Sequence, residues 1–265
     1  MKILKQGGRA LVAFSGGVDS TLLLKAASEA LGKGVLAVTA VSATLARHEL
    51  EEAITLAKKL GVEHVMLASG EMDLPAFVLN PEDKCYHCKK CRFSQLVELA
   101  GTKGYDIVLD GTNADDHLDF RPGLQAARDL GVLSPLSEAA LTKSEIRLLS
   151  KQMGLPTWNK PSLACLATRI PSHTPITAEK LKQIDAAETF IRDMGIAHQI
   201  RVRHYGTTAR IELDRASLPN MVDPDVGEKV VDYLRTLGFR FITLDLAGYR
   251  MGSLNPTNRP STICP

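Results

Sequence analysis

Apolar and polar positions follow two different rhythms along the chain. Through the first two-thirds, short apolar runs take turns with stretches of helical periodicity. Ala10–Phe14 and Val35–Val41 are apolar throughout and read as buried strands, and Val62–Leu67 and Tyr105–Thr112 read as a third and a fourth. Val132–Leu136 reads as a short last strand. Helices are predicted between them: from Thr21 after the first strand, over Arg47–Leu60 with Leu50, Ala53, Ile54 and Ala57 on one face, over Lys89–Ala100, and over Arg121–Leu130. Leu74–Lys84 reads as an irregular loop. Thr142 with Glu145 three residues on predicts a capping box opening a helix through Met153. Strands alternating with helices predict an α/β fold, a doubly wound parallel sheet over residues 1–154. Its ligand site should lie at the carboxyl ends of the strands.

The rhythm changes after Gly154. Residues 155–176 carry four prolines and read as an active-site loop or linker. A helix is predicted over Thr177–Met194. Gln199–Arg203 and Ala209–Leu213 then alternate strictly, which predicts half-buried antiparallel strands. A helix over Asp225–Leu237 and a final strand over Phe239–Leu246 complete a smaller α+β C-terminal domain, 177–265.

Composition narrows the function class. The 265 residues are 23% charged and 45% hydrophobic, ordinary for a water-soluble globular protein. A net charge of +2 argues against a large nucleic-acid footprint. No apolar run reaches the roughly 18 residues of a membrane span, and Met1–Lys5 lacks a signal-peptide core, so a cytoplasmic location is expected. Five cysteines, three of them crowded together, point in a reducing compartment to metal or chemistry rather than to disulfides.

Five features carry candidate chemistry. Ser15-Gly16-Gly17-Val18-Asp19-Ser20 lies between the first strand and the first helix. Its glycines can turn successive N–H groups into one concavity, and the helix start adds its own, which makes an anion site for a pyrophosphate. It is neither a Walker loop nor a dinucleotide fingerprint. Gly111-Thr112-Asn113-Ala114-Asp115-Asp116 follows the fourth strand; Asn113 could hold a nucleotide, and Asp115 or Asp116 could hold Mg²⁺ on its phosphates. Cys85, Cys88 and Cys91 repeat a Cys-x-x-Cys spacing among lysines that favour the thiolate. They lack the fourth soft ligand of a structural zinc site, and three thiols would instead suit a [4Fe-4S] cluster with one open iron; adventitious or redox-active thiols are the alternative. Cys165 lies in the proline-flanked loop beside Lys160 and Arg169, cations that would favour a nucleophilic thiolate; a packing cysteine is the alternative. Arg201 and Arg203, one strand period apart, could grip a phosphate, while spacing alone favours a solvated face with cross-strand ion pairs, Arg210 and Glu212 facing the same way on the next strand.

The first motif resembles the pyrophosphate loop of the N-type ATP pyrophosphatases, whose fold is adenine nucleotide α-hydrolase-like. Together with GTNADD and DFRPGL (111–124), SPLSEAALTKSEIR (134–147), KPSLACLATRIP (160–171) and VRHYGTTARIEL (202–213), it resembles the LarE family of sulfur transferases of the nickel-pincer cofactor pathway that serves lactate racemase. The resemblance covers nearly the whole chain. It implies that ATP, held at Ser15–Ser20 with Asn113 and Asp116, adenylates the carboxylates of pyridinium-3,5-biscarboxylic acid mononucleotide, which become thiocarboxylates. It implies that Arg201 and Arg203 hold the substrate phosphate, with Glu212 orienting them or carrying a metal contact. Two sulfur sources occur in the family. One is a sacrificial cysteine at the position of Cys165, which ends as dehydroalanine. The other is a [4Fe-4S] cluster bearing an extra sulfide, here ligated by Cys85, Cys88 and Cys165, or with Cys91 as a ligand instead; the presence of Cys85 and Cys88 favours this form. The family also implies a homo-oligomer. A tRNA thiolase and a non-catalytic, nucleotide-binding zinc protein are the competing classes. The role of Cys264 is open.

Overall fold

A computed structural model describes residues 4, 8–118, 122–161 and 164–250. Asp119–Arg121 of the DFRPGL motif, Ser162 and Leu163, and Cys264 lie outside the described residues. The chain divides into two units, Met1–Leu163 and Ala164–Pro265, a division that falls inside the proline-rich stretch 155–176. Among the described residues no helix is long and apolar enough to cross a membrane.

The first unit is built on a parallel sheet of β1 (Ala10–Ala13), β2 (Val35–Val41), β3 (Glu63–Ala68) and β4 (Ile107–Leu109), in the order β3-β2-β1-β4. β1 is apolar at every position because helices cover both of its faces. Ala10 and Val12 pack against α1 (Val18–Leu31), α2 (Arg47–Lys59) and α7 (Lys143–Gln152). Leu11 packs on the opposite side against α4 (Lys84–Lys103) and the helix α5 (Pro122–Asp129). The doubly wound α/β fold is as expected.

Three expectations are corrected. Val132–Leu136 contributes a single parallel bridge, Leu109 to Leu133, and Pro135 then opens a short helix, α6 (Pro135–Glu138). Proline has no N–H for a ladder, and its fixed φ suits a first helical turn. Leu74–Lys84 is not wholly irregular: it holds a one-turn helix, α3 (Pro75–Val78), and α4 starts at Lys84, five residues earlier than predicted. Of Tyr105–Thr112, Ile107–Leu109 joins the ladder, and Asp110 turns the chain by accepting from Thr112 N–H and from the Thr112 and Ser134 hydroxyls. The Thr142–Glu145 capping box forms as read.

The second unit packs α8 (Ala178–Asp193) and α10 (Pro224–Thr236) on a three-stranded sheet of β5 (Ile200–Tyr205), β6 (Thr208–Leu213) and β7 (Phe241–Leu244). The short helix α9 (Leu218–Met221) joins the same core through Met221. β5 and β6 are antiparallel as predicted, and β6 and β7 are parallel. β5 is not half-buried, however. Ile200 through His204 are all buried, so both of its faces are covered and its arginines are interior residues.

Candidate active site

The loop after β1 is built by its backbone. Phe14 N–H still donates to Val38 O, holding the chain in the sheet to the start of the turn. Gly16 then takes φ +70°, in the left-handed region, and a Cβ there would sit 3.1 Å from Ala53 Cβ and 3.2 Å from Ala53 Cα on α2. Conformation and space both demand glycine. α1 begins on Gly17 with no side-chain cap, so its first-turn N–H groups face the loop and favour an anion. The Ser15 and Ser20 hydroxyls stand 3.1 Å apart, and Ser20 Oγ also accepts from Ser15 N–H and donates to Gly17 O.

The 111–116 turn is pressed against this helix start, since a Cβ on Gly111 would lie 3.0 Å from Ser20 N. Asn113 is buried. Its amide donates to Asp19 Oδ1 at 3.3 Å and its Oδ1 accepts from Asp115 N–H, so it orients Asp19 across the turn. Asp116 accepts from Asn113 N–H. Lys143, at the first position of α7, binds Asp19 Oδ2 through its ammonium and Asp115 Oδ2 through its backbone N–H. Ser15, Gly16, Gly17, Val18, Asp19, Ser20, Asn113, Asp115 and Asp116 therefore gather at one strand end. Lys143 joins them unforeseen; its position just after the capping threonine was the available signal.

The Lys160 ammonium donates to Gly16 O at 3.3 Å, to Glu49 at 2.9 Å and to Glu52 at 2.6 Å, tying the loop to α2. Burial works against the charge, but the two glutamates hold its pKa above the ordinary lysine value. Arg147 fixes the approach to this lysine by donating to the Trp158 and Lys160 carbonyls.

The early start of α4 puts Cys85, Cys88 and Cys91 on successive turns of one helix. Six residues of helix advance about 9 Å and turn through roughly 240° beyond a full turn, so the outer two thiols diverge. None of these cysteines, nor Cys165, is in a disulfide. Among the described residues no group of three or more His, Cys, Asp or Glu side chains is placed to hold a metal ion, so the α4 run by itself does not fit a cluster. The expected thiolate-favouring environment is also corrected for Cys91: burial and the adjacent Glu71 carboxylate push its thiol up. Glu71, fully buried, accepts from Ser42, Thr44, Ser69 and Arg92, a knot joining the ends of β2 and β3 to α4 that the sequence reading missed. Burial alone would raise its pKa, but the Arg92 charge and these donors bring it to about 2.

In the second unit, the arginine face of the β5–β6 hairpin is interior. Arg203 donates twice to Glu212 Oε2, at 3.0 and 2.8 Å, and Arg210 donates to Glu212 Oε1 at 2.7 Å. Glu212 thus orients two guanidiniums. Arg201 donates to Ile200 O and lies 5.3 Å from the centre of the Tyr249 ring. Burial and the Arg169 guanidinium lower the Arg201 pKa, with Glu188 opposing. Four arginines, 169, 201, 203 and 210, share this neighbourhood with the carboxylates of Glu188, Glu212 and Asp245. Cys165 is exposed, at the head of a short 3₁₀ turn, Leu166–Arg169.

Residues 9–74 match the model of a family described as queuosine biosynthesis protein QueC. Over 93% of its length the chain is 44% identical to an uncharacterized protein of Synechocystis, of which it covers 92%. Over 96% of its length it is 38% identical to the pyridinium-3,5-bisthiocarboxylic acid mononucleotide synthase of Lactiplantibacillus plantarum, of which it covers 91%. A shorter likeness, 30% identity over 69% of the chain and 39% of the relative, links it to the glutamine-hydrolyzing GMP synthase of Aeropyrum pernix.

Proposed function

The chain belongs to the pyridinium-3,5-bisthiocarboxylic acid mononucleotide synthase family, LarE, and from that premise we propose how its residues perform ATP-dependent sulfur transfer for the nickel-pincer cofactor. ATP binds with its phosphates over the Ser15–Ser20 loop, where the glycine-shaped backbone and the start of α1 meet negative charge. Asp19, held by Asn113 and Lys143, and Asp116 stand where Mg²⁺ on those phosphates would be met; Mg²⁺ needs few protein ligands because phosphates and water complete its shell. A ring carboxylate of the substrate attacks the α-phosphorus, pyrophosphate leaves, and the acyl adenylate forms. A sulfur nucleophile then takes the acyl carbon and AMP departs, leaving a thiocarboxylate. Arg201 and Arg203 hold the substrate phosphate, with Glu212 orienting Arg203. The observation that carries this reading is the uncapped, glycine-lined start of α1 at a strand end, in a chain whose second unit buries paired arginines.

For the sulfur source we propose a [4Fe-4S] cluster on Cys85, Cys88 and Cys165, which would supply renewable sulfide. Cys85 and Cys88 lie one helical turn apart on α4. The competing source is Cys165 itself: its sulfur bonds to the acyl carbon, and β-elimination then cleaves its Cβ–S bond with loss of the Cα proton. A cytoplasmic location and self-association complete the proposal, the latter checked by size-exclusion with light scattering.

The test is pyrophosphate release with the biscarboxylate mononucleotide and Mg-ATP. Robust, substrate-dependent release supports the reading. ATP binding without release, or tight salt-sensitive binding of bulk tRNA in a gel shift, overturns it. Iron and acid-labile sulfide on protein purified without oxygen decide the source. About four irons per chain are expected for the cluster, and conversion of Cys165 to dehydroalanine in iron-free protein for the sacrificial route.

A further inference from the structure

The exposed Cys165 has an unusually fixed base. Its carbonyl accepts three donors: Thr168 N–H at 3.0 Å, the Thr168 hydroxyl at 2.8 Å and Arg169 Nη1 at 2.9 Å. The same Nη1 also takes the carbonyl of Ala164, one residue earlier. Ala164 and Cys165 are both exposed residues, but their carbonyls are not left to water. A guanidinium that is 3% exposed is directed at them instead. The other edge of Arg169 is locked. Its Nε and Nη2 donate to the two oxygens of Glu188, both at 2.9 Å, in a bidentate pair that fixes the plane of the fork. Glu188 Oε1 accepts in addition from Val202 N–H at 2.9 Å, between Arg201 and Arg203 on β5. Arg203 Nη1 returns to the same turn, donating to Thr168 O at 2.9 Å. Two separate routes thus join the thiol's backbone to the strand that carries the arginines.

We propose that Arg169 is a positioning residue for sulfur delivery: it clamps the Ala164 and Cys165 carbonyls and so fixes the Cys165 thiol relative to the arginines of β5. This rests on the roles given above to Cys165, Arg201 and Arg203. It holds whether Cys165 donates its own sulfur or ligates a cluster, because either task needs the sulfur at a set place. Lysine cannot replace the clamp, since a single ammonium lacks the planar fork that meets a carboxylate on one edge and two carbonyls on the other.

The experiment compares wild type, Arg169→Lys and the milder Thr168→Val, which leaves the buried ion pair intact. Hydrogen exchange of the 164–168 amides and site-resolved alkylation of Cys165 report the clamp without any activity. Pyrophosphate release and thiocarboxylate formed per pyrophosphate report the two halves of the reaction. Arg169→Lys is expected to exchange at least tenfold faster at 164–168 and to form at least tenfold less thiocarboxylate per pyrophosphate. The yield per pyrophosphate separates this from any change in the rate of pyrophosphate release. Thr168→Val should shift exchange and yield in the same direction by a smaller factor. Unchanged exchange and yield in both variants overturns the clamp, as does a parallel fall of pyrophosphate release and yield in Thr168→Val. Wild type that releases no pyrophosphate refutes the proposed reaction instead, and the exchange comparison then decides the clamp by itself.

Discussion

The loop at Ser15–Ser20 and the arginine cluster at Arg201–Glu212 are both read as phosphate sites, and they are made of different material. The loop is made of backbone. Its shape comes from a left-handed Gly16, a close approach at Ala53 and the N–H groups of an uncapped helix. The cluster is made of long side chains gathered around two carboxylates that are each 1% exposed, Glu188 and Glu212. A backbone site tolerates side-chain change until a Cβ fills it. A buried side-chain site fails when one partner is removed, because the remaining charge is stranded in low dielectric.

The sharpest break would come at Glu188. Glu188→Ala leaves Arg169 buried without its carboxylate, and chemical denaturation should show a loss of about 3–5 kcal/mol. A loss under about 1 kcal/mol would mean that the cluster is less dependent on its ion pairs than its burial implies. Glu71 asks whether the contrast belongs to the units or to the kind of construction, since it is a side-chain knot inside the backbone-built unit. Its folded pKa lies near 2 against an ordinary 4.5, so its stabilisation is full above pH 4.5 and is lost as pH falls through 2. The shift corresponds to about 3 kcal/mol at neutral pH. Glu71→Gln should flatten the stability profile between pH 4.5 and 2, and an unchanged slope there would refute the assignment.

At Gly16 the expected cost is smaller and the functional effect more selective. Gly16→Ala forces a side chain to φ +70° and into Ala53, costing roughly 1–3 kcal/mol. Calorimetry should show ATP binding weakened at least tenfold while the second unit is untouched. Smallest is Thr142→Ala, which removes one cap of α7 for about 1 kcal/mol. Because that cap sets the helix bearing Lys143, ATP affinity should fall by a few-fold, and no change would show that Lys143 is placed by Asp19 and Asp115 alone.

The same contrast explains what the sequence made legible. The loop's determinants are consecutive residues, so six letters in a strand–turn–helix setting reveal it. The capping box at Thr142 and Glu145 is equally local. The hairpin arginines alternate as a solvated face would, and their burial depends on α8 and on Thr168, which no local pattern encodes. The partners of Lys160 are hidden for the same reason, lying over a hundred residues away. The cysteine helix was missed by five residues because Pro81–Asp83 resembles a loop and hides the start of a helix whose packing against α5 is tertiary; a Cβ on Gly123 would meet Lys89 Cδ at 2.5 Å.

The contact between Lys160 and Gly16 spans 144 positions, and that sets an order of events during synthesis. The nucleotide loop is made first, and the lysine that ties it to α2 follows roughly 7–29 s later at ordinary elongation rates. Until then Glu49 and Glu52 stand at the loop without their counter-charge, in a place meant for an anion. A nascent chain halted before residue 160 should therefore hold ATP poorly even with its whole sheet in place, so nucleotide capture becomes a late signal that the first unit has been finished.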